Sequence, residues 1–219
     1  KNKELFIYED IRKDPIQIKV NNINPYLIEA PDIIVKKRSK QITSCPPMVF
    51  GSMPNEGGNL LLSDDEFNEL KSKNSEANFI KFIKPFIGAK EFIKGEKRWC
   101  IWLKDIDQSL WASDKFIRER VEKVKKLRSE SKRPATKKLS NTPWLFGEIR
   151  HPNDNYILIP ANTSSKREYI PIGFFDKDSV AGNSCLIIPG KELSIFSILN
   201  SSLHMTWVKN ICGRLKDDF

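Results

Sequence analysis

The feature that most constrains this chain is a basic helical pattern followed by a proline, between residues 113 and 138. Apolar residues recur along it at steps of three and four: Ile117, Val121 and Val124, and then Leu127 or Arg128. This spacing predicts an amphipathic helix that starts at Ser113 and buries one face. The helix should end before Pro134, because a residue that precedes proline avoids the α conformation. We therefore expect the stretch "SESKRPAT" to leave the helix as a loop.

The net charge of the chain is concentrated in the same place. The whole chain carries +9, and eleven Lys or Arg against three Glu give +8 between Lys115 and Lys138. The other 195 residues hold 26 basic and 25 acidic side chains. A concentrated basic patch is typical of a protein that binds a polyanion such as nucleic acid. The alternative is a solvated helix face that binds nothing.

The first half of the chain predicts short strands and two helices. Extended pieces are expected at "ELFIY", "IQIKV" and "DIIVKK", and a strand at Met48–Phe50. Ser63 and Glu66 form a capping box that should open a helix. A second short helix is expected over Glu76–Ile83. Beyond Gly95, the sequence "RWCIWL" is apolar on both faces, which predicts a central strand.

The second half predicts three strands and a final helix. The strands are expected at "NYILIP", "EYIPIGF" and "SCLIIPG", and the helix at Leu193–Leu215. Helices and antiparallel strands mix without a βαβ rhythm, so the predicted class is α+β. We expect one domain taken from a longer chain. It would have a mixed part at 1–112, a part at 113–192 that carries specificity, and a C-terminal helix at 193–219.

The cysteine spacing and the hydropathy indicate the cellular environment of the protein. The four cysteines stand far apart, at Cys45, Cys100, Cys185 and Cys212, with no metal-binding or disulfide spacing. An apolar run of the length needed to span a bilayer does not occur. We expect a reducing, intracellular setting.

Two catalytic motifs can be sought in the first half. Asn24-Pro25-Tyr26 is reminiscent of the Asn-Pro-Pro-aromatic loop of adenine methyltransferases, but it lacks one proline and a preceding glycine-rich cofactor loop. A structural turn explains it better. Asp32 with Glu69 and Lys71 could be read as a nuclease metal site, but Glu69 and Lys71 fall in a predicted helix instead of a strand.

The sequence also gives little support for histidine catalysis or for a glycine-rich phosphate-binding loop. His151 and His204 lie in unrelated contexts, and we expect each to be structural or exposed. Gly57-Gly58 lacks the strand and helix that flank a phosphate-binding loop, so a wide surface loop is expected. Binding, and not catalysis, is what the sequence favours.

Two segments carry side chains suited to reading bases. Arg pairs with guanine, Glu accepts from cytosine, and Ser or Thr reaches several base edges. These types occur at the exit of the basic helix and again around Lys166-Arg167 in a link between strands. Helix lysines more often bind phosphate, which positions a protein without reading sequence. The alternative is that both segments are merely hydrophilic turns.

Several long motifs resemble one family. They include "PPMVFGSMPNEGGNLLLSDDE", "RVEKVKKLRSESKRPAT", "TPWLFGEIRHP" and "EYIPIGFF". In this order, they resemble the target-recognition region of MmeI-like (type IIL, within type IIG) restriction–modification enzymes. The resemblance covers nearly the whole chain.

The resemblance implies a division of labour within a longer bacterial, cytoplasmic protein. An upstream S-adenosylmethionine-dependent adenine methyltransferase and a Mg²⁺-dependent nuclease would do the chemistry, and this chain would read double-stranded DNA. No cofactor is expected in the chain itself. A self-contained DNA methyltransferase or nuclease is the alternative.

The resemblance also places specificity in two segments, residues 131–136 and 162–168. Within them we predict base contacts at six positions: Lys132, Arg133, Ser165, Lys166, Arg167 and Glu168. We predict phosphate contacts at five others: Lys123, Lys126, Lys137, Lys138 and Arg150. No catalytic or metal-binding residue is predicted.

Overall fold

The computed structural model of this chain describes residues 3–36, 38, 41–73 and 78–213. Its strands are β1 (Lys3–Ile7), β2 (Ile16–Val20), β3 (Val49–Phe50), β4 (Leu61–Ser63), β5 (Ile83–Ile87), β6 (Arg98–Ile101), β7 (Tyr156–Pro160), β8 (Gly173–Phe175), β9 (Val180–Ala181) and β10 (Cys185–Pro189). Its α-helices are α1 (Asp64–Lys73), α2 (Ala89–Lys94), α3 (Lys115–Ser129), α4 (Pro134–Lys138), α5 (Leu193–Leu199) and α6 (Ser202–Ile211). Short 3-10 helices span Asn78–Phe82, Gln108–Leu110 and Leu139–Asn141. The predicted α+β class is confirmed.

The strands form three separate sheets. A hairpin pairs β1 with β2, a second sheet has the order β3-β10-β7-β8, and a third has the order β4-β6-β5-β9. Pairing is antiparallel except between β5 and β9. Each larger sheet therefore combines strands from before and after the basic helix. The prediction that the strand after Gly95 is central is confirmed, because β6 lies between β4 and β5.

The main core lies between the third sheet and α3. Ile117, Val121 and Val124 are buried there beside Cys100 and Ile101 of β6. The predicted apolar stripe is thus the face by which the basic helix attaches to the protein. Its lysines are left on the solvent side, as the 3.6-residue period of a helix requires.

The predicted capping box forms at the start of α1. The Ser63 backbone N–H donates to the Glu66 carboxylate at 3.1 Å, and the Glu66 N–H donates to the Ser63 hydroxyl at 3.1 Å. Phe67 then faces inward and stacks on Trp99 at 4.0 Å between ring centroids. The local sequence was sufficient to predict this cap because Ser63 and Glu66 lie within one helical turn.

The second predicted helix is wrong in type and extent. Its described part is a 3-10 helix that ends at Phe82, and Ile83 already begins β5; residues 76 and 77 lie outside the described residues. Pro85 stands inside this strand. Strand β5 pairs with β9 only at Phe86 and Ile87. Pro85, which has no N–H, therefore does not need to donate a hydrogen bond to β9.

Three further elements differ from prediction. Residues 32–36 form no strand, residue 37 lies outside the described residues, and the strand expected from "EYIPIGF" is only Gly173–Phe175. Helix α2 was not anticipated. It is ended by Gly95 in the left-handed conformation, with φ of 68°, which glycine adopts without a steric penalty.

The single long C-terminal helix is also wrong, because the structure has two helices there. Helix α5 ends at Leu199 and α6 begins at Ser202. The Ser201 hydroxyl accepts from the His204 N–H at 3.2 Å and so caps α6. Serine competes for backbone hydrogen bonds in this way, which interrupts a helix that apolar spacing alone would continue. Leu215 lies outside the described residues.

Candidate nucleic-acid interface

Helix α3 begins two residues later than predicted and has a conventional cap. The Asp114 carboxylate accepts from the Ile117 N–H at 3.0 Å, which satisfies one of the free donors of the first turn. The helix ends at Ser129, well before Pro134. Fifteen residues therefore support the exposed lysines on a rigid element.

Arg128 belongs to the buried stripe and not to the exposed basic surface. It is completely buried, and all five of its N–H donors reach backbone carbonyls at 2.8–3.2 Å. The acceptors belong to two separate loops: Pro54 and Asn55 in one, and Leu139, Thr142 and Leu145 in the other. Burial lowers the pKa of its guanidinium, and the nearby Glu56 carboxylate opposes this shift. Arg128 thus joins the end of α3 to both loops.

Arg120 is likewise engaged within the protein. It donates to the carbonyls of Asn59 at 2.9 Å and Leu61 at 3.3 Å, and it pairs with Glu66 at 2.8 Å. Its guanidinium also lies 4.8 Å from the centroid of the Phe116 ring. Arg120 and Arg128, two of the seven basic residues of α3, therefore hold the helix in place. The positive charge that α3 exposes to solvent is smaller than the number of its Lys and Arg residues indicates.

Lys123 and Lys126 are exposed, as their predicted role requires. Neither has a carboxylate within 4 Å among the described residues, whereas Lys115 lies 3.9 Å from Glu119. Glu119 is four residues before Lys123, and Glu122 is four before Lys126, so acidic side chains share their face of the helix. The outer face of α3 is consequently mixed in charge.

All of the charged residues in the segment after α3 are basic. Residues 131–138 hold Lys132, Arg133, Lys137 and Lys138 with no acidic residue, and all four are exposed. The expected loop is wrong in part, because Pro134 occupies the first turn of α4 instead of a continuous loop. Proline is favoured there since its missing N–H would be unpaired in any first turn.

Two local contacts fix the path between α3 and α4. The Ser131 N–H donates to the Arg128 carbonyl at 3.2 Å, and the Arg133 N–H donates to the Ser131 hydroxyl at 3.2 Å. Arg133 is the residue immediately before α4, and its carbonyl accepts from Lys137 at 2.9 Å. The two predicted base readers, Lys132 and Arg133, therefore project from a short, ordered corner.

The second predicted reading segment is the link between β7 and β8. Thr163 is buried at its root, and the Arg167 N–H donates to the Ser164 carbonyl at 3.0 Å, which closes a turn. Lys166 and Glu168 are exposed, whereas Ser165 and Arg167 are half-buried. The Arg167 guanidinium lies 3.5 Å from the Thr163 hydroxyl, at the limit of a hydrogen bond. Of the four predicted readers in this link, Lys166 and Glu168 are open to a ligand, and Ser165 and Arg167 are partly open.

Arg150, the fifth predicted phosphate contact, stands apart from the α3–α4 segment. Its guanidinium pairs with Glu148 and lies 3.4 Å from the Gly51 carbonyl. Its backbone N–H donates to the Ser52 hydroxyl at 3.0 Å. A phosphate would have to compete with Glu148 for this side chain.

The catalytic alternatives receive structural roles. The Asn24 side chain accepts from the N–H groups of Tyr26 at 2.9 Å and Ile28 at 3.3 Å, which makes it a turn residue. Glu69 pairs with Lys73 on α1. Within residues 3–36, 38, 41–73 and 78–213, no group of three or more His, Cys, Asp or Glu could hold a metal ion.

Gly57 and Gly58 form a turn organised by Glu56. The buried Glu56 carboxylate accepts from the N–H groups of Gly58 and Leu60. A Cβ added at Gly57 would lie 2.4 Å from the Leu127 methyl group, so this turn packs directly on α3. The loop supports the basic helix and does not cradle phosphate.

A second basic cluster was missed from the sequence. Four lysines line a pocket of about 280 Å³ beside His151: Lys81, Lys84, Lys104 and Lys177. Two of them already have partners, Lys84 with Asp178 at 3.3 Å and Lys104 with Asp105 at 3.5 Å. Lys81 and Lys84 are three residues apart, but Lys104 and Lys177 come from two distant segments, so no short window of the sequence contains the combined charge.

The fold is therefore an α+β binding domain whose exposed basic residues extend from a helix into a short ordered corner. The family model for the MmeI target recognition domain matches residues 29–219, and the chain belongs to that family. No described helix is long and apolar enough to cross a membrane.

Two longer proteins are similar to this chain. DNA methyltransferase A of Bacillus subtilis (strain 168) is 37% identical over 218 residues, which is all of this chain and 24% of that protein. A solved structure of the type IIL restriction–modification enzyme MmeI in complex with DNA superimposes with a TM-score of 0.86 at 36% identity. That match covers 100% of this chain and 29% of MmeI. The chain thus spans about a quarter of the relatives it matches.

Proposed function

We propose that this chain is the sequence-specific, double-stranded DNA recognition domain of a bacterial type IIL restriction–modification methyltransferase. The observation that supports it best is the likeness over the whole chain to an enzyme solved in complex with DNA. The exposed, acid-free run of basic residues at 131–138 agrees with a polyanion as the ligand. We call the longer cytoplasmic polypeptide to which the chain would belong the parent.

Recognition would be divided between two kinds of contact. Lys123, Lys126, Lys137, Lys138 and Arg150 would bind phosphate and fix the position of the duplex. Lys132, Arg133, Ser165, Lys166, Arg167 and Glu168 would reach base edges, mostly in the major groove, where each base pair shows a distinct pattern of donors and acceptors. A rigid corner suits the second task, because a reader must hold its donors in fixed positions.

The chemistry would lie in other domains of the parent. An upstream adenine-N6 methyltransferase would hold S-adenosylmethionine and act on an adenine flipped out of the duplex. A nuclease domain would use Mg²⁺. This chain would hold neither group, and it would determine where the other domains act.

The methylation pattern of a host that expresses the parent tests this proposal. We expect N6-methyladenine at one short, asymmetric site. Arg133→Ala or Arg167→Ala should relax a single position of that site, because each such contact discriminates by about 1–3 kcal/mol. Lys71→Ala, in the exposed part of α1, is the matched control and should leave the pattern unchanged.

Two outcomes would contradict the proposal. Methyl transfer by the 219-residue chain alone, with labelled S-adenosylmethionine, would make it a self-contained enzyme. An unchanged methylation site in every variant of both reading segments would show that specificity lies elsewhere in the parent.

A further inference from the structure

The β1–β2 hairpin has one apolar face, which is buried at its Val20 end, half-buried at Leu5 and Ile18, and open at its Ile7–Ile16 end. The register places Leu5 opposite Ile18 and Ile7 opposite Ile16, so these four side chains share a face. Ile7 is 44% exposed and Ile16 is 54% exposed. The hairpin pairs with no other described strand.

The opposite face of the hairpin is more polar. Glu4 lies opposite Lys19, and Phe6 opposite Gln17. Aliphatic residues on one face and mainly polar residues on the other are typical of a sheet whose first face is covered. A two-stranded hairpin alone is marginally stable in water, so such a face would normally pack against something.

The family match does not include the hairpin, although the longer relatives match it. The family match starts at residue 29, whereas the B. subtilis relative matches the whole chain, hairpin included, within a protein about four times as long. The hairpin therefore occurs in longer proteins at the N-terminal edge of the region that the family match covers. In the proposed parent it is the element nearest the upstream methyltransferase.

We infer that the Leu5–Ile7–Ile16–Ile18 face of the hairpin docks on the methyltransferase domain of the parent. This contact rests on the proposed function. It would attach the recognition domain to the catalytic domain by a packed surface, in addition to the covalent connection, and so fix the orientation of one domain relative to the other.

Cysteine labelling of the parent tests the docking. Ile7→Cys and Ile16→Cys place a thiol on the apolar face, and Gln17→Cys places one next to Ile16 on the opposite face. Iodoacetamide labelling, read by peptide mass spectrometry, should be at least about tenfold slower at positions 7 and 16 than at 17, because a covered thiol is inaccessible. Small substitutions of this kind leave the backbone of the hairpin intact.

Each outcome has a distinct meaning. Equal labelling rates at positions 7, 16 and 17 would overturn the inference. Protection of positions 7 and 16 that is lost on dilution would also overturn it, because a second copy of the parent would then cover this face. A parent that methylates at no defined site, yet protects positions 7 and 16, would contradict the proposed function and leave the docking standing.

Discussion

Arg128 shows at the scale of one residue why the charge of a sequence is not the charge of a surface. It lies in the most basic part of the chain, yet it is completely buried and donates five hydrogen bonds to backbone carbonyls. The guanidinium suits this position because it offers five donors in a planar fork. Its acceptors follow α4 on one side and precede the Glu56 turn on the other, so it positions the corner that carries Arg133.

We expect Arg128→Met to destabilise the protein by at least about 3 kcal/mol, since five carbonyls would lose their buried donors. Urea unfolding measures the change. Arg128→Lys should be less damaging, because an ammonium supplies up to three donors. Lys126→Met, two residues earlier and exposed, should stay within about 0.5 kcal/mol of the wild type. Equal losses for Arg128→Met and Lys126→Met would show that the five bonds add no net stability.

His151 gives the protein a pH response. Burial lowers the pKa of its imidazole below 6.5, and Lys84 and Lys104 lower it further, although the Lys177 carbonyl opposes them. The unfolded state therefore takes up its proton first as the pH falls. Stability should decrease as the pH falls through 6.5 and level off below the folded pKa. Urea unfolding between pH 7.5 and 5.5 should show a weaker pH dependence in His151→Gln, and an equal dependence would contradict the assignment.

At the scale of elements, α3 and the corner that follows it differ in charge pattern. The outer face of α3 alternates lysines with Glu119 and Glu122, whereas residues 131–138 contain no acid. Helix α3 ends at Ser129, and Pro134 opens α4 within the second segment. The predicted phosphate contacts of this region therefore lie on α3 and α4, and its predicted base readers, Lys132 and Arg133, lie between the two helices.

We expect Lys126→Ala and Arg133→Ala in the parent to change DNA binding in different ways. Lys126→Ala should flatten the slope of log affinity against log salt by about 0.9 and leave the preferred site unchanged, because it removes one phosphate contact. Arg133→Ala should weaken binding mainly on the preferred site. Fluorescence anisotropy with specific and scrambled duplexes separates the two effects. If the two variants behave alike, the helix does not differ from the corner in the kind of DNA contact it makes, which contradicts the prediction.

At the scale of the whole molecule, we predict that the five proposed phosphate contacts meet one duplex. Replacing all five by Ala in the parent should flatten the salt slope by about 4.5 if they act together. Arg150 is the informative member, because its pairing with Glu148 should make its own contribution smaller than that of Lys137. A combined change near 0.9 would mean that most of the five face away from the DNA.

Local chemistry was readable without the structure. The capping box at Ser63 and Glu66, the inner stripe of α3 and the central strand at Cys100 depend on neighbours within a few residues or on a regular period. The motifs that resemble the MmeI family are also contiguous, and the family match confirms them.

The predictions of one long C-terminal helix and of a strand at "DIIVKK", of which residues 32–36 are described, were wrong for a different reason. Apolar spacing does not register that Ser201 caps a new helix, and it cannot show whether an extended segment finds a partner strand. Pairing and capping are choices between alternatives of similar local free energy, which the surrounding packing decides.

The sequence by itself determined the family, the α+β class and the concentration of charge, because each is carried by contiguous residues. Only the tertiary structure decided which charges are available to a ligand. It buried Arg128, tied Arg120 to Glu66 and brought lysines from three distant parts of the chain around one pocket. The physical reason is that exposure and charge pairing depend on residues far apart in the chain, whose proximity exists only in the folded protein.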